Sequence, residues 1–357
     1  MIRKKCFTTE WIEKVSSELH YNDNNLIEKV IRALSLLEML VMSGCPFVFK
    51  GGTALMLILG KSANRLSIDI DIICPPGTNI EDYLTAFADF GFTDLEFVER
   101  RQRNGADVPK SHSKFFYQVT YRSETNAMSY ILLDVLYEDT HYCHTRQTAI
   151  DCPFIRLDGE PLMVTVPSAE DILGDKLTAF APNTTGIPYY KNGRSCSMEI
   201  AKQLHDIGRL FENVYDLRPA ISAFNKIAEV ELSYRSLDTD VQQVFNDIRQ
   251  TALCISTRGK AGEGDFELIQ DGIIRVKAFM YRQRYMIDHA IIDSSRAAYL
   301  ATLIEKGIAD IQPYPDDPAV IKDLIIRPSL TNRLNRLKAN LPEAYYYWAK
   351  TSELLEE

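Results

Sequence analysis

The chain has 357 residues, 46% of them apolar and 25% charged, with a mean hydropathy of −0.16. These are the proportions of a globular protein, and they exclude a disordered, collagen-like or coiled-coil chain. Its 40 basic residues against 49 acidic ones give a net charge of −9, which argues against a general DNA-coating role while leaving room for local basic patches.

Length allows one large domain or two, each able to bury its own core. Seven cysteines, scattered and without a CxxC pair, argue against a disulfide scaffold or a structural zinc site and predict a reducing cytoplasm. The basic start over residues 1–5 is not followed by an apolar core, so no signal peptide is expected. The most apolar stretches, 34–42 and 54–59, fall far short of the ~20 residues that span a bilayer. No membrane association is expected.

In chain order, Leu26, Val30, Ala33, Leu34, Leu37, Leu40 and Val41 recur at helical spacing. They predict an amphipathic helix over 25–42, ended by Gly44-Cys45-Pro46. A short strand over 47–49 and a turn at Gly51-Gly52 lead to a helix over 53–59. An alternating strand over 67–73 follows, closed by Pro75-Pro76-Gly77. Then come a helix over 80–90, a strand over 95–101 and an exposed loop over 105–113. Two long alternating segments, 114–122 and 129–137, read as adjacent antiparallel strands; 162–166 is a further strand.

Beyond Pro167 the pattern turns helical almost throughout, with candidates at 168–181, 198–211, 219–232, 240–256, 266–282, 288–306 and 318–325. The expected organisation is an α+β front half, residues 1–167, joined to an all-helical region, residues 168–357.

The chemistry concentrates in Lys50-Gly51-Gly52-Thr53-Ala54-Leu55 and Arg65-Leu66-Ser67-Ile68-Asp69-Ile70-Asp71. Residues two apart on a strand share a face, so Asp69 and Asp71 project together while Ile68, Ile70 and Ile72 turn to the core. Two neighbouring carboxylates repel unless a cation sits between them, and hard oxygen ligands with spare sites suit Mg²⁺. An edge strand whose acids simply face solvent is the structural alternative. Gly51-Gly52 falls between a strand and a helix, where backbone N–H groups cradle a phosphate, with the Thr53 hydroxyl as a further donor.

Gly-Gly, a helix, then Asp-x-Asp on the next strand resembles the nucleotidyltransferase superfamily related to DNA polymerase β. Lys-Gly-Gly-Thr-Ala-Leu with Arg-x-Ser-x-Asp-Ile-Asp resembles, more narrowly, the AbiEii/AbiGii toxin family of nucleotidyltransferases. The spacing from Gly52 to Asp69 is a little longer than that family's pattern, as an insertion around 61–64 would make it.

The resemblance implies a polymerase β-like mixed sheet with flanking helices, followed by a helical C-terminal region that contributes to the cleft. It also implies a third carboxylate on a later strand, matched by Asp134 in an otherwise apolar run where a lone acid is costly. A lysine in the helix after the sheet matches Lys176, whose structural alternative is pairing with Asp171 or Asp175. An aspartate in the helix after that matches Asp206, whose alternative is a surface pair with Lys202. Where the family carries an acid directly after that lysine, this chain has Gln203.

The implied catalytic set is therefore Asp69, Asp71, Asp134, Lys176 and Asp206, with one or two Mg²⁺ on Asp69, Asp71 and Asp134. Gly51, Gly52, Thr53, Arg65, Ser67 and Lys176 would hold the nucleotide. The implied activity is transfer of a nucleotidyl group from an NTP to an acceptor such as tRNA or another RNA, by the toxin of a toxin–antitoxin or abortive-infection system with a cognate antitoxin. A small-molecule nucleotidyltransferase of the antibiotic-modifying type would share this chemistry but need an acidic acceptor pocket. A non-catalytic nucleotide-binding module would have no need of all these charged residues. Basic groups at 99–114, 275–284 and 322–338 are either solvated faces or contacts to a polyanion. The run His141-Tyr142-Cys143-His144 makes a poor tetrahedral site.

Overall fold

The computed structural model describes residues 1–98, 109–121, 127–235, 239–315, 317–327 and 330–356. Its elements are α1 (Thr9–Leu19), α2 (Asn24–Met42), β1 (Val48–Lys50), α3 (Gly51–Leu59), β2 (Ile70–Cys74), β3 (Asp94–Val98), β4 (Lys110–Gln118), β5 (Met128–Tyr137), β6 (Thr145–Ala149) and β7 (Met163–Pro167). After them come α4 (Ala169–Ala179), the small hairpin β8 (Tyr190–Lys191) and β9 (Arg194–Ser195), α5 (Ser197–Phe211), α6 (Arg218–Tyr234), α7 (Val241–Thr257), α8 (Phe266–Val276), α9 (Ile287–Glu305), α10 (Leu337–Asn340) and α11 (Pro342–Leu354). The fold is α+β, with a mixed sheet in the first part of the chain and mainly helices in the rest.

The chain divides into two compact units, Met1–Ser168 with Ala278–Arg284, and Ala169–Lys277 with Tyr285–Glu357. Residues 278–284, expected in the helical region, thus belong to the first unit. The reason is a set of specific bonds: Leu66 N–H donates to Phe279 O at 2.8 Å and Tyr281 N–H to Asn64 O at 3.3 Å. The Asn64 side chain meets Gln283 at both ends, accepting from its N–H at 2.8 Å and donating to its carbonyl at 3.3 Å. Tyr281 stacks edge-on against Phe154.

In the first unit, five strands lie in the order β1-β2-β5-β4-β3, antiparallel except for the β2–β5 pair. One face carries Phe49, Ile70, Ile72, Phe115, Tyr117, Ile131, Leu133 and Val135, all buried in one core with Ile27, Val30, Leu34 and Leu37 of α2. The strand alternation leaves the other face to Lys50, Asp71, His112 and Asp134.

Several sequence expectations are corrected. The helix expected over 80–90 is two short 3₁₀ turns, Ile80–Tyr83 and Phe87–Phe90. Thr145–Ala149 is a strand paired with β7 that the sequence reading passed over. β2 begins at Ile70, because Leu66 bonds residue 279 instead of the sheet. β4 starts at Lys110, so the expected loop ends earlier. The helix expected over 266–282 stops at Val276, and that expected over 318–325 is one 3₁₀ turn, Pro318–Ile321.

Among its described residues the second unit is mainly helical, with the β8–β9 hairpin and a single bridge between Asp216 and Asp310. Its core buries Leu173, Leu177, Leu204, Ile207, Phe224, Phe245, Ile248 and Trp348, and Trp348 Nε1–H donates to Ser256 Oγ at 2.9 Å.

Candidate active site

Strand register builds the site. Lys50 stands opposite Asp71, Asp71 lies beside Asp134 on the parallel neighbour, and Asp134 stands opposite His112. Partners in register share a face, on strands ~4.8 Å apart, so a row of Lys50, Asp71, Asp134 and His112 crosses four strands. The parallel pairing of β2 with β5 is what sets the two acids side by side.

Two members of the row hold each other. His112 Nδ1–H donates to Asp134 Oδ1; a carboxylate only accepts, so this bond puts the imidazole proton on Nδ1. The His112 side chain is 11% exposed, and its Nε2 is buried with no hydrogen-bond partner among the described residues. Sequence reasoning missed His112, because Ser111-His112-Ser113 reads as loop, and only strand pairing brings it to Asp134.

The glycines fit this row closely. Gly51 has φ +78°, and a Cβ added there would fall within the Asp71 carboxylate. A Cβ on Gly52 would lie 2.7 Å from both Ser67 Oγ and an Arg65 guanidinium nitrogen. The turn is therefore glycine for two reasons, a left-handed backbone and contact with the side chains of Asp71, Ser67 and Arg65. Helix α3 begins at Gly51 itself, two residues earlier than expected, so the N–H groups of the Gly-Gly pair are those of its first turn.

Thr53 has a different task from the one expected. Its side chain is wholly buried, and its hydroxyl donates to Asp69 O at 2.6 Å, tying α3 to the segment leading into β2. Asp69 is exposed and precedes β2. Arg65 is 5% exposed and donates through Nη1 to Leu66 O at 3.0 Å.

Among the described residues no three His, Cys, Asp or Glu side chains are gathered as a ready metal cluster. Asp71 and Asp134 are in register, with Asp69 two residues upstream of Asp71. These hard oxygen donors are of the kind Mg²⁺ takes when waters and substrate phosphates complete its shell.

The second unit has a centre of its own. Lys176 Nζ lies 2.9 Å from Asp206 Oδ2 and donates to Gln203 Oε1 at 2.9 Å. Lys176 is 6% exposed and Asp206 1%, so the surface pairing of Asp206 with Lys202 does not describe this residue. Gln203, which departs from the family pattern, is one of the two groups that fix the ammonium. Gln203 and Asp206 are one helical turn apart on α5, so both reach the same point. His205 is buried beside them, its ring edge-on to Tyr285 with centroids 5.1 Å apart.

The basic groups divide. Arg100, Arg101 and Arg103 lie outside the described residues. Arg336 donates to Thr257 O at 2.9 Å, Lys338 to the carbonyls of Lys322 and Leu324 at 2.8 and 3.2 Å, and Arg327 pairs with Glu356. These three stitch the second unit together. Arg282 and Arg284 belong to the first unit.

The family model described as nucleotidyl transferase AbiEii toxin, of type IV toxin–antitoxin systems, matches residues 35–280. Among solved structures, JHP933 from Helicobacter pylori is similar at 17% identity, over 81% of this chain and 94% of that one, with a TM-score of 0.42. The nucleotidyltransferase toxin MenT4 from Mycobacterium tuberculosis H37Rv is similar at 14% identity, over 94% of this chain and 98% of its own, with a TM-score of 0.41. No curated protein matches the chain. At such scores the structural likenesses are distant, and the family match carries the assignment.

Proposed function

The chain belongs to the AbiEii family of nucleotidyltransferase toxins, and from that premise we propose that it transfers a nucleotidyl group from an NTP to an RNA acceptor of tRNA type. As a toxin of this family it has a nucleotide substrate, and its family implies a cognate antitoxin. Among the described residues no helix is long and apolar enough to cross a membrane. The observation that carries the reading is the transverse row on the open sheet face, with the Gly51-Gly52 turn against Asp71.

In the reaction, the acceptor hydroxyl oxygen forms a bond to the α-phosphorus while the bond to the pyrophosphate oxygen breaks, and pyrophosphate leaves. The N–H groups of Gly51 and Gly52 hold phosphate oxygens at the positive end of α3. Asp71 and Asp134, with Asp69, would hold Mg²⁺, which supplies charge neutralisation for the in-line displacement. Asp134 draws the proton of the attacking hydroxyl, and His112 keeps that carboxylate in place. Arg65 and Ser67 brace the Gly-Gly turn. By the family resemblance Lys176 would offset charge on the leaving group; within its own unit the ammonium is held by Asp206 and Gln203.

The test incubates the protein with each labelled NTP, Mg²⁺ and total RNA. Label entering an RNA band, lost with Asp71→Asn, is the expected result. RNA unlabelled by every NTP, or labelled equally by the variant, overturns the reading.

A further inference from the structure

The sheet face that carries Asp134 and His112 continues toward the other end of β4 and β5. Alternation puts Lys114 and Phe116 next on β4, and Leu132 and Tyr130 next on β5. Register pairs Lys114 with Leu132 and Phe116 with Tyr130. The Phe116 and Tyr130 rings touch, with centroids 5.8 Å apart and planes tilted by 58°. Tyr130 is 44% exposed. Register between β2 and β5 begins at Ile70 and Leu133, so Tyr130 sits on the stretch of β5 that precedes the β2 pairing.

Two ammonium groups reach this one ring, Lys29 Nζ at 5.6 Å and Lys114 Nζ at 5.7 Å. Lys114 also meets Glu96 Oε2 at 3.1 Å, on a half-exposed side chain. A cross-strand aromatic pair by itself stabilises a hairpin. It does not call for exposure of the outer ring, for two cations beside it, or for continuity with the carboxylates. Those three features together are what a stacking site for nucleobases uses, an aromatic surface with positive charge close by to meet the backbone phosphates; on binding, an incoming base would take the place of the flexible ammonium groups over the Tyr130 ring.

We propose that Phe116 and Tyr130 form the stacking platform for the single-stranded end of the RNA acceptor, with Lys29 and Lys114 meeting its phosphates. This rests on the RNA reading above. Tyr130 stands four residues from Asp134 on one strand face, about 13 Å at the rise of a β-strand. That span places the terminal nucleotides between the platform and the carboxylates, with the acceptor hydroxyl at Asp134.

The test measures binding of a fluorescent single-stranded oligoribonucleotide to the full-length protein by anisotropy, without NTP, beside a duplex of the same sequence. The single strand is expected to bind more tightly than the duplex. Tyr130→Ala should weaken single-strand binding by roughly 5- to 100-fold while Tyr130→Trp keeps it, since any aromatic face stacks. Lys29→Gln with Lys114→Gln should flatten the salt dependence. Unchanged melting temperatures establish that the variants are folded, and Phe116→Leu serves as a second probe.

Wild-type binding by Tyr130→Ala and Phe116→Leu overturns the platform, as does a wild-type protein that binds no single strand, the result expected if this face takes a protein partner. The labelling assay with total RNA separates the two ideas. Labelled RNA with an unchanged KM in Tyr130→Ala sinks the platform and leaves the acceptor class standing. Unlabelled RNA, together with oligonucleotide binding that depends on Tyr130, sinks the acceptor reading and leaves the platform.

Discussion

The two units handle charge in opposite ways. In the first, Asp71, Asp134 and His112 sit on an open sheet face, partly exposed, with two carboxylates side by side. In the second, one cluster of charges is buried and closed in on itself. Asp293, 1% exposed, is ringed by Arg296 at 3.4 Å, Arg209 at 3.9 Å and the Tyr285 hydroxyl at 3.0 Å. Arg296 is further held by Glu343 at 2.6 Å and Glu212 at 3.0 Å. Burial pushes the Asp293 carboxyl up, against the pull of those arginines, and the neighbouring Tyr285 phenol well up. The arrangement on the sheet gives up stability to keep acids available to a ligand; the helical network balances its charges among its own members and specifies packing.

The largest expected effect breaks the open row. Asp71→Asn or Asp134→Asn should take nucleotidyl transfer below detection with the melting temperature unchanged or raised, since removing one acid relieves like-charge repulsion. Full activity with Mg²⁺, or ready unfolding, would contradict the carboxylate role.

A change in the closed network should show the reverse. Asp293→Ala leaves Arg296 and Arg209 facing a cavity and is expected to cost about 3–5 kcal/mol of unfolding free energy. Denaturant titration checks it, and a loss under ~1 kcal/mol would mean that the arginines find other partners.

Lys176 tests whether one residue belongs to both kinds of chemistry. Lys176→Met is expected to lower kcat ~10²-fold and also to cost stability, because Asp206 keeps its burial and loses the Lys176 ammonium. Pairing it with Asp206→Leu should restore stability and leave kcat low. Recovery of kcat in the double variant would make the pair purely structural.

The smallest effect is a pH dependence. Asp247 accepts from Asn183 N–H and Nδ2–H, both at 2.8 Å, and from the Thr184 hydroxyl at 2.9 Å, yet burial raises its carboxyl above the usual value of 3.8. A raised acid holds its proton more tightly folded than unfolded. The stability it contributes is present below pH 3.8 and is lost as pH rises through its folded value. Asp247→Asn should remove that downward component from the stability curve while lowering the curve as a whole. A slope identical to wild type would assign the pH dependence to other groups.

The sequence carried the parts of the site that are local. Gly51-Gly52 and the acid pair stand within a short stretch, and Asp134 is conspicuous in an apolar strand. What it could not carry is register. His112 becomes a neighbour of Asp134 only when β4 pairs with β5, and its serine neighbours hide the strand. Thr53 looked like a phosphate donor because hydroxyls at helix starts often are, but the fold turns it inward to Asp69 O. Gln203 was read as a departure from the family pattern, and its amide oxygen turned out to meet the same ammonium as Asp206. The basic run around Arg336 was legible as charge, whereas its use in holding backbone carbonyls depends on where the chain returns.

The return of Ala278–Arg284 to the first unit bears on the order in which the protein is made. Four groups wait for residues 278–283: the Leu66 N–H for Phe279 O, the Asn64 side chain for Gln283, the Tyr21 hydroxyl for Ala278 O and the Phe154 ring for Tyr281. A ribosome that has finished β7 has supplied every strand of the sheet, yet the segment between α3 and β2 is still waiting for its clasp. More than a hundred further residues must be synthesised before the bracing beside Arg65 and Ser67 closes. A nascent chain stalled or cleaved in that interval carries the acids without that brace, so for a toxin the clasp ties full assembly of the site to near-completion of translation.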